Sequence, residues 1–549
     1  MRDQRGDGGR KKSKLEKKKV QEGGTDEVLQ LDVNRLLGRH APTPTSAEQT
    51  PDGGDAESSR PELPVEFTEI EVKISELSST GDGLALSPTQ DHVYVVPFTL
   101  PGDTAKVKVI RHSREARYTM TDFLSVVEPS PQRDDSLIGC KYFSKCSGCQ
   151  LQMLPYADQL AHKKKIVEKA YANFSGLIPE LIPAVQDTMP SPLEYGYRTK
   201  LTPHFGVPNS ARKNKGARPV QTQTEVPAIG YTYKNRRQNI DIEDCPLGTD
   251  IVRQGLKSER KRVIENLHTF KRGATLLLRE STTREKKQTP ETEENKSKSP
   301  AAELPQDENL IRKEYPDYVE EKRCVTESNK TSVEYVGDYV FYNKAGAFFQ
   351  NNNSILEPFT SYIRDHALPP STAIKPGEPP IKYLLDAYSG SGLFTVTLSP
   401  LFKSSLGVDV SDQSIISARE NARANNLSNT GFAAADAATI FKNIPYPPDQ
   451  TVLVIDPSRK GCDDSFISQM LSFGPRRVIY VSCNVHTQAR DVGAMVLGDK
   501  NWRYEIESIK GFDFFPQTGH VEGVAVLNRA PAAAKEDGES SASVAVEKE

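Results

Sequence analysis

Between residues 383 and 482 the chain repeats one pattern: a short apolar run that ends near a carboxylate or a thiol, then a stretch with helical periodicity. The runs are Tyr383-Leu384-Leu385-Asp386-Ala387, Leu406-Gly407-Val408-Asp409, TGFAAADAA with Asp436 near its end, Val452-Leu453-Val454-Ile455 before Asp456, and Val478-Ile479-Tyr480-Val481 before Ser482-Cys483-Asn484. Runs that are apolar at nearly every position need cover on both faces, which a parallel sheet flanked by helices provides. Ligands of such sheets lie beyond the carboxyl ends of the strands, so the acids and Cys483 are expected along one edge.

The first run enters a glycine turn, Tyr388-Ser389-Gly390-Ser391-Gly392, followed by the start of a helix at Leu393. Glycines at this point let a ligand approach the backbone at a helix N-terminus. The third glycine of a dinucleotide fingerprint is missing, which disfavours NAD. Asp386, Asp409 and Asp436 at successive strand ends suit a nucleoside with a cationic appendage, and S-adenosylmethionine is such a ligand. A methyltransferase is therefore the first expectation.

The 549 residues call for two or three domains. A formal net charge of −3 leaves room for basic patches without demanding them. No apolar run is long enough to cross a membrane, and MRDQRGDGGRKKSKLEKKK lacks the apolar segment of a secretory signal. An intracellular protein is expected, its compartment and oligomeric state open.

Composition divides the chain further. Residues 1–60 and 531–549 read as polar tails, the first carrying a basic cluster that suits a nuclear signal, an RNA-attracting arm or a solvated charge run. Residues 65–128 alternate with period two between turn signals, as in a small antiparallel barrel of the oligonucleotide-binding kind. Lys106, Lys108, Arg111 and Arg114 are candidates for its basic face. Residues 135–330 form a central mixed α+β region with the amphipathic segment YADQLAHKKKIVEKAYANF and a low-complexity insertion at 281–310. Residues 331–530 make the α/β domain.

Seven cysteines in a chain of this kind do not read as a secreted disulfide framework. Cys140, Cys146 and Cys149 have C-x5-C-x2-C spacing, and Cys245 follows far downstream in Glu243-Asp244-Cys245-Pro246. Three near thiolates and one remote can take zinc or an iron–sulfur cluster, since both accept four thiolates. Cys483 has a different context, at the end of a buried strand, and is a nucleophile candidate; alone, it would also pack as a small hydrophobe.

Together Phe348-Phe349-Gln350-Asn351, Asp456-Pro457-Ser458-Arg459-Lys460-Gly461, Val481-Ser482-Cys483-Asn484 and His520-Val521-Glu522 resemble, in kind and order, the RNA 5-methyluridine methyltransferase family, and more closely its tRNA (uracil-5-)-methyltransferase branch. The resemblance spans about residues 65 to 530 and extends to a TRAM domain in the barrel. It implies a Rossmann-like S-adenosylmethionine-dependent domain, with Gln350, Tyr388, Asp409 and Asp456 contacting the methyl donor and Asp436 a weaker contact. It implies Cys483 as nucleophile, Glu522 as general base and, as in some members, a [4Fe-4S] cluster on the four cysteines. The chain departs from the family in Leu393, where Asn is common, and in Asp409, where Glu is frequent.

The implied chemistry needs both groups. Uracil C5 is too weak a nucleophile to accept a methyl group until a thiolate adds at C6; a base must then remove the C5 proton so that the thiol can leave. The thiol is expected in surroundings that lower its pKa. The expected substrate is the T-loop uridine at position 54 of tRNA. A ribosomal RNA enzyme, or an RNA-binding or RNA-folding protein relying on its barrel, is the alternative.

Overall fold

A computed structural model describes residues 21–40, 63–206, 226–270, 272–287, 309–370, 376–435, 440–441 and 443–532. The basic cluster at residues 10–19, most of the expected insertion, Asp436 and nearly all of the C-terminal tail lie outside the described residues.

The barrel region forms a six-stranded sheet. Val72, Ile74, Ala85, Tyr94, Val96, Ala105 and Val107 fill its interior. One pairing departs from the expected antiparallel pattern: Val93–Val96 runs parallel to Tyr118–Glu128. All four residues of Val93–Val96 are buried, so the outer face of this strand is covered too.

The cover is helix α1 (Thr25–His40), which overturns the expectation of a tail through residue 60. Leu29, Val33, Leu36 and Leu37 recur at helical spacing and pack on Leu84, Val93 and Val95. Burying each such side chain contributes roughly 1.5–3 kcal/mol toward holding the helix on the barrel. The polar composition around this stripe had concealed it.

The amphipathic segment is helix α2 (Tyr156–Phe174), as expected. Its buried Ile166, Val167, Ala170 and Tyr171 belong to the core beneath the eight-stranded sheet of the α/β domain. The strand Gln186–Met189 joins the edge of that sheet. A boundary at 330 therefore does not separate two independent cores. Residues 281–286, expected within the insertion, continue the strand Leu278–Lys286, which pairs with Tyr318–Val325 along its length.

The eight-stranded sheet contains β1 (Tyr383–Ala387), β2 (Ser404–Asp409), β3 (Thr430–Ala434), β4 (Thr451–Ile455), β5 (Arg477–Ser482), β6 (Trp502–Phe512) and β7 (Glu522–Pro531). Their order is β3-β2-β1-β4-β5-β7-β6, followed by Gln186–Met189. The first five are parallel, and β7 is antiparallel between β5 and β6. The strand order reverses at β1 and β4, the place where open α/β sheets bind ligands. Helices α3 (Leu393–Leu398), α4 (Asp412–Ala424) and α5 (Val485–Leu497) follow β1, β2 and β5.

Candidate active site

The antiparallel insertion of β7 brings Cys483 and Glu522 to one place. Ser482 pairs with Gly523, so the next residue of β5 and the first of β7 meet at the carboxyl edge of the sheet. Asp456 enters the same edge from β4 and raises the pKa of both Cys483 and Glu522. Residues separated by tens of positions thus meet at one edge of the sheet because strand direction and register bring them there.

Glu522 is 1 % exposed, and neither of its carboxylate oxygens has a hydrogen-bond partner among the described residues. Burial above all, and then the neighbouring Asp456, raises its pKa well above the ordinary value. Asp456 is pushed up to about 7 by burial and then by Asp386. A buried acid with orphaned oxygens is costly, and such groups concentrate where a ligand will satisfy them.

Cys483 is half-buried, and burial pushes its thiol up to about 12, with Glu522 and Asp456 adding to the rise. The guanidinium of Arg459 opposes them. The expected lowering of the thiol pKa is therefore not met by the protein alone: the desolvation cost and two carboxyls outweigh one exposed cation. Asn484, next to the thiol, caps α5 by accepting from the His486 amide at 3.2 Å. Its helix N-terminus is a second source of positive potential near Cys483.

The glycine turn is fixed from both sides. Asp386, which looks from its strand-end position like a ligand contact, is fully buried and accepts from the amide (2.8 Å) and hydroxyl (2.5 Å) of Thr395 in α3. Gly392 has φ +89°, with Phe432 and Ala418 3.3 Å from where a Cβ would lie. Tyr388 has a left-handed φ of 64°, and its ring lies against Phe466 with centroids 5.3 Å apart. That strain at a turn beside the site is of the kind kept at ligand clamps. Asp409 accepts from the amides of Gly390 (3.0 Å) and Ser411 (2.8 Å), which leaves each oxygen a further lone pair for a hydroxyl.

Gln350 is half-buried, two residues before Asn352, whose amide donates to the Phe514 carbonyl at 3.2 Å. That contact sets the Gln350 loop against the loop preceding Glu522. Asp436 lies outside the described residues.

Sequence reasoning missed several supporting groups. Asn421, fully buried, donates to the Ser391 carbonyl at 2.9 Å and accepts from the Tyr342 amide at 2.7 Å, tying the glycine turn to the hairpin before Gln350. An Asn on the apolar face of α4 was the available signal. Gln517, with φ 71°, accepts through its carbonyl from Gln150 (2.9 Å) and Leu151 (3.1 Å) and so anchors the loop before Glu522.

Cys140, Cys146, Cys149 and Cys245 line a single cavity of about 130 Å³. Backbone amides of Tyr142 and Phe143 face the Cys140 sulfur, and those of Gly148 and Leu247 face Cys146 and Cys245. Burial raises all four thiols, Cys245 to about 11. Thiols raised in this way stay protonated unless an electrophilic metal takes up the charge of the thiolates. Among the described residues no three His, Cys, Asp or Glu side chains close together as the ligands of one ion do.

No helix among the described residues is long and apolar enough to cross a membrane. A TRAM domain model matches residues 65–115, and a tRNA (uracil-5-)-methyltransferase model matches residues 447–530, which include Asp456, Cys483 and Glu522. The chain is 44 % identical to the tRNA (uracil(54)-C(5))-methyltransferase of Schizosaccharomyces pombe over 515 residues, 93 % of this chain and 85 % of that one. It is 38 % identical to the enzyme of the same name from Saccharomyces cerevisiae over 556 residues, 94 % of this chain and 84 % of that one. The fold matches that of the Pyrococcus abyssi tRNA (uracil-54, C5)-methyltransferase in complex with S-adenosyl-L-homocysteine, with a TM-score of 0.54 and 22 % identity over 83 % of this chain and all of that one. On these likenesses and the geometry at the β5–β7 edge, the chain belongs to the tRNA (uracil-5-)-methyltransferase family.

Proposed function

We propose that this protein methylates C5 of a uridine in RNA, the T-loop uridine at position 54 of tRNA, with S-adenosylmethionine as donor. The observation that carries the reading is the meeting of Cys483 and Glu522 across the Ser482↔Gly523 register. The relatives' names and extensive coverage support the choice of tRNA.

S-adenosylmethionine, when bound, supplies the methyl group and a positive sulfonium. The glycine turn, Tyr388 and Asp409 are the groups suited to its nucleoside, and Asp456 to its charged end; Gln350 closes the pocket from the adjoining loop, and Asp436 remains a weaker contact. Cys483 adds to uracil C6, helped by Arg459 and the α5 N-terminus. C5, activated by that addition, takes the methyl group; Glu522, as the carboxylate, then takes the C5 proton, and the C6–sulfur bond breaks to return the thiolate. The sealed surroundings of Glu522 keep water from competing for its proton.

Cys140, Cys146, Cys149 and Cys245 would hold a [4Fe-4S] cluster. Through Gln150 and Leu151, next to Cys149, that group would brace the Gln517 loop. Iron and sulfide content of anaerobically prepared protein, compared with Cys245→Ser, tests this; equal content in the two would remove the assignment.

For the reaction, Cys483→Ala is expected to lose methyl transfer and any adduct with 5-fluorouridine-containing tRNA. Glu522→Gln is expected to accumulate adduct with little turnover. Full activity in either variant refutes the corresponding role. Mapping 5-methyluridine in cells lacking the protein separates tRNA from ribosomal RNA, and a catalytically dead Cys483→Ala that rescues such cells would favour an RNA-folding role.

A further inference from the structure

The N-terminal segment reaches the reaction centre. Asn484, which follows the nucleophile, shares its side-chain amide between two carbonyls: Gly23 at 3.1 Å and Arg459 at 3.0 Å. Thr487 on the first turn of α5 also donates to the Arg459 carbonyl, at 3.3 Å. One position before Gly23, Glu22 pairs with Arg490 at 3.3 Å. Arg490 in turn donates to the carbonyls of Lys460 (3.0 Å) and Cys462 (3.1 Å). Residues 22 and 23 therefore grip both loops, the one carrying Arg459 and the one carrying Cys483.

The grip is built for glycine. Gly23 has φ +64°, and a Cβ there would lie 2.7 Å from the Thr487 methyl carbon. Its own amide donates to Glu27 at 2.7 Å, joining the strap to α1. The other end is held firmly: Asp32 in α1, 1 % exposed, accepts from the Ser79 amide at 2.5 Å and pairs with Lys169 of α2 at 2.8 Å. Docking α1 on the barrel thus fixes where Gly23 can sit.

We propose that residues 22–24 are a positioning element of the catalytic centre, a strap that sets the Arg459 loop against Cys483 through the shared amide of Asn484. The proposal rests on the reading of Cys483 as nucleophile. A strap that only adds stability would change the melting temperature and nothing in the thiol's chemistry. A positioning strap changes the thiol itself, because it governs the separation between the sulfur and the Arg459 cation that favours its ionised form.

The test uses the full chain carrying Gly23→Val and a second protein lacking residues 1–24, with the milder Gly23→Ala if either folds poorly. Alkylation of Cys483 by iodoacetamide at fixed pH, read on the Cys483 peptide by mass spectrometry, is expected to slow about threefold for each unit of thiol pKa, the tenfold loss of thiolate being partly returned by greater basicity. The kcat for tRNA methylation should fall at least as much, with affinity for S-adenosylmethionine held within about twofold. Unchanged alkylation and kcat in the variants would overturn the proposal, as would a lower melting temperature with both unchanged. Because alkylation reports on the sulfur whether or not it attacks uracil, a failure of the nucleophile assignment, seen as full activity of Cys483→Ala, is distinguishable from a failure of the strap.

Discussion

Replacing Arg459 by Ala removes the cation that offsets two carboxyls at the nucleophile. Unit charges about 4 Å apart interact by roughly 1 kcal/mol in water and roughly 4 kcal/mol at the effective permittivity near protein surfaces. Arg459 is exposed and the thiol half-buried, so an intermediate value of about 1.4–2.7 kcal/mol applies, equal to one to two pKa units. With the thiol already at about 12, every pH in normal use lies on the limb where each unit costs tenfold in thiolate. A more basic sulfur is also more nucleophilic, with a slope of about 0.4–0.5, which leaves a net slowing of roughly three- to sixteenfold. The assay is the rate of iodoacetamide alkylation of the Cys483 peptide at pH 8, followed by adduct formation with 5-fluorouridine-containing tRNA; Arg459→Lys should recover part of both. If Arg459→Ala alkylates at the wild-type rate, the electrostatic account of this thiol is wrong, whatever happens to turnover.

Three further outcomes follow from the same geometry. Asp386 sits at about 7 in the folded chain against an ordinary 3.8, so the fold binds that proton more tightly than the open chain; its contribution is complete below about pH 4 and is lost as pH rises toward 7. Asp386→Asn should therefore gain stability relative to wild type between pH 4 and pH 8, by up to about 4 kcal/mol in urea unfolding, and a pH-independent difference would refute the buried-proton reading. Gly392→Val places a branched side chain at φ +89° and should cost roughly 1–3 kcal/mol and weaken S-adenosylmethionine binding, so unchanged calorimetric affinity would separate the turn from the cofactor. Deleting residues 1–19 removes nine Lys and Arg against three Asp and Glu, and should flatten the salt dependence of KM for tRNA; an unaltered slope would leave that run without a role in RNA capture.

What the sequence disclosed depended on how local the cause was. The strands of the catalytic sheet were legible because two-face burial forces unbroken apolar runs, as in Val452–Ile455. The pairing of Cys483 with Glu522 was reachable only through the family's motif order, since nothing within either segment encodes a register between β5 and β7. Asp386 illustrates the opposite failure: position at a strand end suggested a ligand contact, whereas its side chain turns inward to cap α3. Helix α1 was hidden by averaging, because four apolar residues at helical spacing were diluted by polar neighbours. The run Val93–Val96 carried the complementary hint, for a barrel strand with no polar face requires cover from elsewhere.

The Gly23–Asn484 bond joins positions 461 apart in the chain, and Glu22–Arg490 joins positions 468 apart. At roughly 5–20 residues per second, a ribosome needs about 20 to 90 s between making the first partner and the second. Through that interval the barrel can close over α1, but the strap has nothing to hold. The strap therefore closes only after both loops of the centre have been made, and a chain cut between α1 and α5 would keep Glu22 and Gly23 without the side chains that hold them.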